Sequence, residues 1–366
     1  MSSNLLDEAN RVMTICNACR YCEGFCAVFP AMELRRTFTG QDLKYFANLC
    51  HNCRGCYYAC QYAPPHEFAL NIPQTLGALR LKTYEEFTWP EPFQRVFRNN
   101  GLVTGGIAVL SVLAVVFLTV FAKGQGEFFG VHAGEGSFYR VIPYLAMVLP
   151  FSALAAFSLY SLWRGIGNLW RLTGGEPRDL FRLKPSAQAL WDVLRLRYLE
   201  GGGHGCNFPD ERFSMVRRYF HHAIFYGFMV CLASTTVAFF YDHFLGVSAP
   251  YPFWSWPVVL GTVGGLAILA GTGGMIYLKQ HMDRAPATTE TFGMDRAFTA
   301  ILFFTSLTGL MLLLLRGTGV MGLLLAVHLG LVAGLFLTLP YGKFVHAVYR
   351  YAALVRNAIE QANAKH

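Results

Sequence analysis

Charge is scarce in this sequence. Asp, Glu, Lys and Arg make up 14% of the 366 residues against 54% hydrophobic ones, which excludes an ordinary soluble protein of this size. Acidic residues are scarcest, 22 against 30 Lys and Arg, leaving a net charge of +8. In a soluble chain that excess would suggest nucleic-acid binding. Here the basic residues flank apolar runs, where they orient a membrane protein and meet anionic headgroups, so no nucleic-acid partner is expected. Catalytic constellations are also missing: the first hundred residues hold no proton-abstracting pair and no nucleophile with a base. Substrate chemistry then belongs to another protein, and catalytic residues stay unassigned.

What the chain does have is long apolar runs. Crossing about 30 Å of hydrocarbon takes about 20 apolar residues in a helix. Six stretches reach that length: Leu102 to Phe121, Val141 to Trp163, His221 to Leu245, Pro257 to Leu278, Ala297 to Leu315 and Val320 to Tyr341. The first follows a polar, cysteine-rich segment, so no cleavable signal peptide is expected. Lys and Arg number ten before Asn100, ten from Arg164 to Arg218, three from Lys279 to Arg296 and four after Tyr341, whereas the opposite loops hold only Lys123, Arg140 and Arg316. This asymmetry places both termini and the two basic loops in the cytoplasm, with the chain multi-pass in the inner membrane. Trp89, Trp163 and Trp170 at one boundary, and Tyr251, Trp254 and Trp256 at the other, read as interfacial aromatics.

Residues 1–100 form a head and 101–366 a membrane domain, with Trp89, Pro90, Glu91 and Pro92 as linker and a polar loop at 164–220. Within that loop Ala187, Leu190, Trp191, Leu194 and Tyr198 recur at helical spacing beside Arg195 and Arg197. Such a helix lies in the headgroup layer or packs on the head. Gly201, Gly202 and Gly203 then turn the chain towards the third span, and Gly261, Gly265, Gly271, Gly273 and Gly274 would let a neighbour approach the fourth closely.

The head contains one repeat. Cys16, Cys19, Cys22 and Cys26 recur 34 residues later as Cys50, Cys53, Cys56 and Cys60, each set in the bacterial ferredoxin spacing for four-iron-four-sulfur clusters. A tight loop delivers three thiolates to one cube, and in two-cluster ferredoxins the fourth comes from the other motif. By that crossing, Cys16, Cys19, Cys22 and Cys60 hold one cluster, and Cys50, Cys53, Cys56 and Cys26 the other. Disulfides do not suit a cytoplasmic head, and zinc takes separated pairs rather than dense runs of three. The proline that usually follows the last cysteine is Ala27 in one motif and Gln61 in the other, with Pro30 and Pro64 displaced, which leaves ligation intact but alters the local turn. The expected fold is therefore an all-α membrane bundle of six transmembrane helices with an N-terminal ferredoxin-like, two-cluster iron-sulfur domain.

Histidines inside a bilayer are functional candidates. His222 and His243 bracket the third span, while His328 and His346 lie on or just beyond the sixth. His328 and His346 would share a face about 27 Å apart if the helix continues past Pro340 and Gly342. On antiparallel helices His222 matches His346 and His243 matches His328, with His221 as an alternative that aligns better with His243. Axial imidazole pairs suit b-type haem; one haem, two, or simple interfacial histidines remain open. His281 is a surface residue or a contact for a quinone headgroup. His51 and His66 are expected at the surface near the clusters, Cys231 as a small apolar side chain, and Cys206 as a loop thiol without an assigned role.

The doubled motif, six spans, the loop Gly202 to Pro209 and the pair His221, His222 together resemble the tricarballylate-utilisation B, or citrate-utilisation protein B, family over nearly the full length. The resemblance implies two four-iron-four-sulfur clusters and haem b carrying electrons from the reduced flavin of a soluble FAD-dependent dehydrogenase, acting on a tricarboxylic acid, to membrane quinone. One-electron carriers suit that task because flavin releases electrons singly or in pairs. A quinol-oxidising subunit feeding a soluble reductase, and a membrane transporter or redox sensor, are the competing readings.

Overall fold

The computed structural model describes residues 2–364. Its head is helical throughout: α1 (Ser2–Cys19), α2 (Val28–Glu33), α3 (Gly40–Leu49), α4 (Gly55–Tyr58) and α5 (Ile72–Phe87). Local sequence dictates the starts. Thr39 and Asp42 form a reciprocal capping box at α3, and the Asn71 side chain caps α5 with Pro73 in its first turn. Val12, Met13, Leu43, Phe46, Leu49, Leu76 and Tyr84 fill the space between α1, α3 and α5 and are fully buried.

The membrane domain comprises α6 (Asn100–Phe128), α7 (Ser137–Val141), α8 (Tyr144–Leu172), α9 (Leu183–Leu194), α10 (Val216–Leu245), α11 (Trp256–Gln280), α12 (Phe292–Leu315), α13 (Met321–Thr338) and α14 (Val345–Asn363). Six helical segments are long and apolar enough to cross a membrane, and each overlaps one expected run. Their outer faces are bare, with Leu102 and Phe121 each 81% exposed, as lipid contact requires. Between α9 and α10 a hairpin pairs β1 (Cys206–Asn207) with β2 (Phe213–Ser214).

Small residues make the closest seams. A Cβ on Gly264 would lie 2.8 Å from the Gly227 carbonyl oxygen of α10, and one on Gly271 would lie 2.8 Å from that of Phe220. Gly330 and Gly334 of α13 likewise press on Val112 and Ala108 of α6. Of the expected glycines, Gly274 also faces α10 and Gly265 faces Leu310 of α12, but nothing lies within 4 Å of Gly273. Its position one residue from the seam turns it outwards.

The sixth run does not continue as one helix. A 3-10 turn at Leu339–Tyr341 and extended backbone at Gly342 separate α13 from α14, because Pro340 lacks the amide that the ladder needs. Freed from the span, α14 lies against α3 of the head and against α8 and α9. Arg35 ties it there through Glu360 (2.6 Å) and Asp42 (2.6 Å). The linker is equally fixed, with Phe93 stacked on Tyr341 at 4.8 Å. The loop helix α9 packs on α14 rather than on the head, with Ala189 buried while Leu190 and Trp191 stay exposed.

Arg54 donates to the Asp283 carbonyl and Asn71 to that of Ala285. Together with α9 and α14, these contacts gather the head, both basic loops and the C-terminal helix at one end of the bundle. Gly264→Leu should part α10 from α11 and cost about 1–3 kcal/mol, read as a lower thermal midpoint in detergent. Gly273→Leu should leave the midpoint unchanged; equal losses would contradict the seam.

Candidate functional site: two cysteine cavities and a histidine pair

The two motifs interleave. One cavity is lined by Cys16, Cys19, Cys22 and Cys60 with Phe29, Leu70 and Ile72. The other is lined by Cys26, Cys50, Cys53 and Cys56 with Met13, Val28 and Leu76, and Cys16 reaches its edge. The fourth cysteine of each motif thus lies with the first three of the other. Positive φ at Arg20 (55°), Asn52 (54°) and Arg54 (69°) turns these short loops tightly around their thiols.

All ten cysteines are unpaired, which removes the disulfide reading. Among the described residues no three His, Cys, Asp or Glu side chains converge on a point that would hold a single ion. A zinc site brings its sulfurs to about 2.3 Å from one centre, whereas thiols around an apolar cavity suit the corners of a larger cluster. Burial pushes Cys16 and Cys22 up to about 12, reinforced by neighbouring thiols, and pushes Cys53 equally high with Cys206 beside it. Such thiols become thiolates only against bound cationic metal.

Charge separates the two cavities. Around the second, Arg80 and Arg350 donate to the Cys50 carbonyl (2.5 and 2.9 Å), and Arg217 donates to that of Asn52 (2.6 Å). Arg54 and Arg217 sit over the Phe208 ring, 4.6 and 4.8 Å from its centroid. Burial, with Arg217 nearby, lowers Arg54 to about 10. Among the described residues none of these four guanidiniums pairs with a carboxylate. The first cavity has Arg20 at its rim, and that side chain is exposed.

The 206–214 hairpin closes the second cavity, with the Asn207 amide donating to the Cys53 carbonyl (3.1 Å). Gly205, at φ 104°, makes the turn, since a Cβ there would meet the Ser214 backbone at 2.5 Å. Cys206 is therefore not a free loop thiol. It is 1% exposed, bonded to the Leu199 carbonyl and packed with Cys53. His51 is likewise buried, not at the surface, and its Nδ1–H donates to the Leu49 carbonyl at 2.8 Å with its ring against Tyr198.

Of the membrane histidines, His221 and His346 meet, with ring centroids 6.2 Å apart. Two imidazoles bonded to one iron at about 2 Å, with ring radii of about 1 Å, have centroids about 6 Å apart. The His346 Nδ1 lies 2.5 Å from the Lys343 carbonyl, which fixes the tautomer that leaves Nε2 free for a metal, while His221 Nδ1 is buried without a partner. His222 points a third of a turn away, towards Tyr226, so it is not the partner of His346. His243 is exposed and stacked on Phe239, whereas His328 bonds inside the bundle to Thr305 and Thr308 of α12. The expected outer pair is not assembled, because α10 packs chiefly along α11. His281 is exposed and rests on Tyr277. Sequence spacing pointed to the cysteines; nothing in it could link Arg350 to Cys50 across 300 residues.

Two family models match the chain. The family model described as citrate utilization protein B Fer4-like domain matches residues 9–86, and that described as citrate utilization protein B matches 98–366. The citrate utilization protein B of Escherichia coli is 44% identical over 363 residues, covering 98% of this chain and 93% of that protein. No solved structure matches. The Fer4-like head is an iron-sulfur electron-transfer domain on a bundle of apolar helices, and the chain belongs to the citrate utilization protein B family.

Proposed function

We propose that this protein carries single electrons from the reduced flavin of a soluble FAD-dependent dehydrogenase, acting on a tricarboxylic acid, through two four-iron-four-sulfur clusters and one haem b to membrane quinone. One observation carries the reading. Arg217 and Arg350, which hold the second cysteine loop, each stand four residues from a histidine of the meeting pair, His221 and His346. One helical turn on α10 and one on α14 thus join the second cysteine cavity to a haem-sized imidazole pair. Cys16, Cys19, Cys22 and Cys60 would hold the outer cluster, and Cys26, Cys50, Cys53 and Cys56 the inner one. Bound there, the clusters and haem supply reversible one-electron steps.

The remaining residues set order and side. Uncompensated cations favour the reduced, more negative form of the inner cluster, so electrons move inwards from the outer one. The lysine and arginine excess at the head end favours a cytoplasmic head, in the inner membrane, facing a soluble donor. That direction favours quinone reduction over quinol oxidation.

Iron and acid-labile sulfide should each approach about eight per chain. Cys60→Ala should erase the same paramagnetic centre as Cys19→Ala, and Cys26→Ala the same one as Cys53→Ala; the reverse grouping would refute the crossing. Pyridine extraction should count one haem, lost in His221→Ala and His346→Ala and retained in His328→Ala. Haem loss in His328→Ala alone would overturn the pair. Arg350→Gln should lower the inner cluster's potential by tens of millivolts, measured by redox titration, and leave the outer cluster's unchanged.

A further inference from the structure

A second cleft opens beside the inner cysteine cavity. It is open to solvent, and Asn52 and Arg54, the residues flanking Cys53, line both spaces. Its other walls come from the head-side ends of three spans: Arg217 of α10, Met275 and Lys279 of α11, and Phe292 and Asp295 of α12. Resting on the quinone-reducing reading above, we propose that this cleft binds the quinone headgroup.

The walls suit a flat, neutral ring with acceptor oxygens at opposite ends. Phe208, Phe292, Met275 and Met282 supply aromatic and thioether surface. Arg54 and Arg217 line the cleft, and their buried Nε donors have no hydrogen-bond partner. At the other end Asp295 already engages Lys343 (2.7 Å) and Lys279 (3.4 Å). An anion would have to compete with that carboxylate, whereas a carbonyl oxygen would not. The site lies where the apolar spans begin, so a polyprenyl tail reaches lipid while the ring lies against Asn52 and Arg54.

The reaction balances there. Two electrons would be supplied singly by way of the haem held by His221 and His346, one helical turn from Arg217 of the cleft wall, two protons enter from head-side water through the Lys279–Asp295 pair, and both carbonyls of the ring become hydroxyls. The pair is positioned as proton donor, and Arg54 and Arg217 orient the ring.

The test uses the full-length, cluster- and haem-loaded protein in lipid nanodiscs, reduced with dithionite and mixed in a stopped flow with decyl-ubiquinone or with ferricyanide, which needs no ring site. Met275→Trp, which fills the cleft, should raise the half-saturating quinone concentration about tenfold or more, and Lys279→Met should lower the maximal rate of oxidation by quinone about tenfold or more, both with ferricyanide oxidation unchanged. Wild-type quinone kinetics in both variants would overturn the site. Failure of the unmutated protein to be oxidised by quinone, while ferricyanide still oxidises it, would overturn the quinone reading of the whole chain instead. Should either variant lose iron, azido-quinone photolabelling of the unmutated protein decides: label within residues 208–217, 275–282 or 292–296 supports the site, and label confined elsewhere refutes it.

Discussion

Buried positive charge around the Cys50–Arg54 loop is the constraint that organises the molecule. Arg54, Arg80, Arg217 and Arg350 come from α4's approach, α5, α10 and α14, and among the described residues they meet no carboxylate. Uncompensated guanidiniums cost several kcal/mol each in an apolar interior. Backbone carbonyls and the Phe208 face offset part of that cost. The rest calls for negative charge in the adjacent cavity, which four thiolates around a cationic cluster would supply. The same contacts dock the head on the bundle, so cofactor assembly and domain docking depend on each other.

The break at Pro340 and Gly342 has its meaning in this setting. A sixth helix that continued straight would carry His346 and Arg350 away from the bundle end. Broken, it lets α14 turn back between α3, α8 and α9, where Arg35 and Glu360 hold it and Arg350 reaches Cys50. The hairpin at 206–214 does the equivalent for the opposite wall, bringing Phe208 under two guanidiniums and Asn207 onto Cys53. Two segments far apart in the chain therefore complete a site whose thiols all come from the first 60 residues. The quinone cleft proposed on the far side of Asn52 and Arg54 shares that wall.

Short-range patterns were legible without coordinates. The cysteine repeat specifies interleaved cavities because three thiols in a tight loop leave one corner to fill, and the cavities are interleaved. Six apolar runs became six long apolar helices, since backbone amides in lipid must bond within their own segment. Cys206 illustrates the opposite case. Its glycine-rich surroundings read as an exposed loop, yet those glycines permit the tight turn that buries it against Cys53.

Sequence alone determined the spans, the loops that share the head's end of the bundle and the four-and-four grouping of thiols, because each follows from hydropathy, charge bias or spacing within one segment. Tertiary structure decided which histidines meet. Helical periodicity could rank His221 and His222 only by their alignment with His243 on the same helix, and the break at Pro340 rotated and displaced His346 beyond that arithmetic. It also decided that four arginines from distant segments surround one cysteine loop and not the other. Long-range electrostatic partners leave no periodic trace, since any helix that passes the site can present a guanidinium to it.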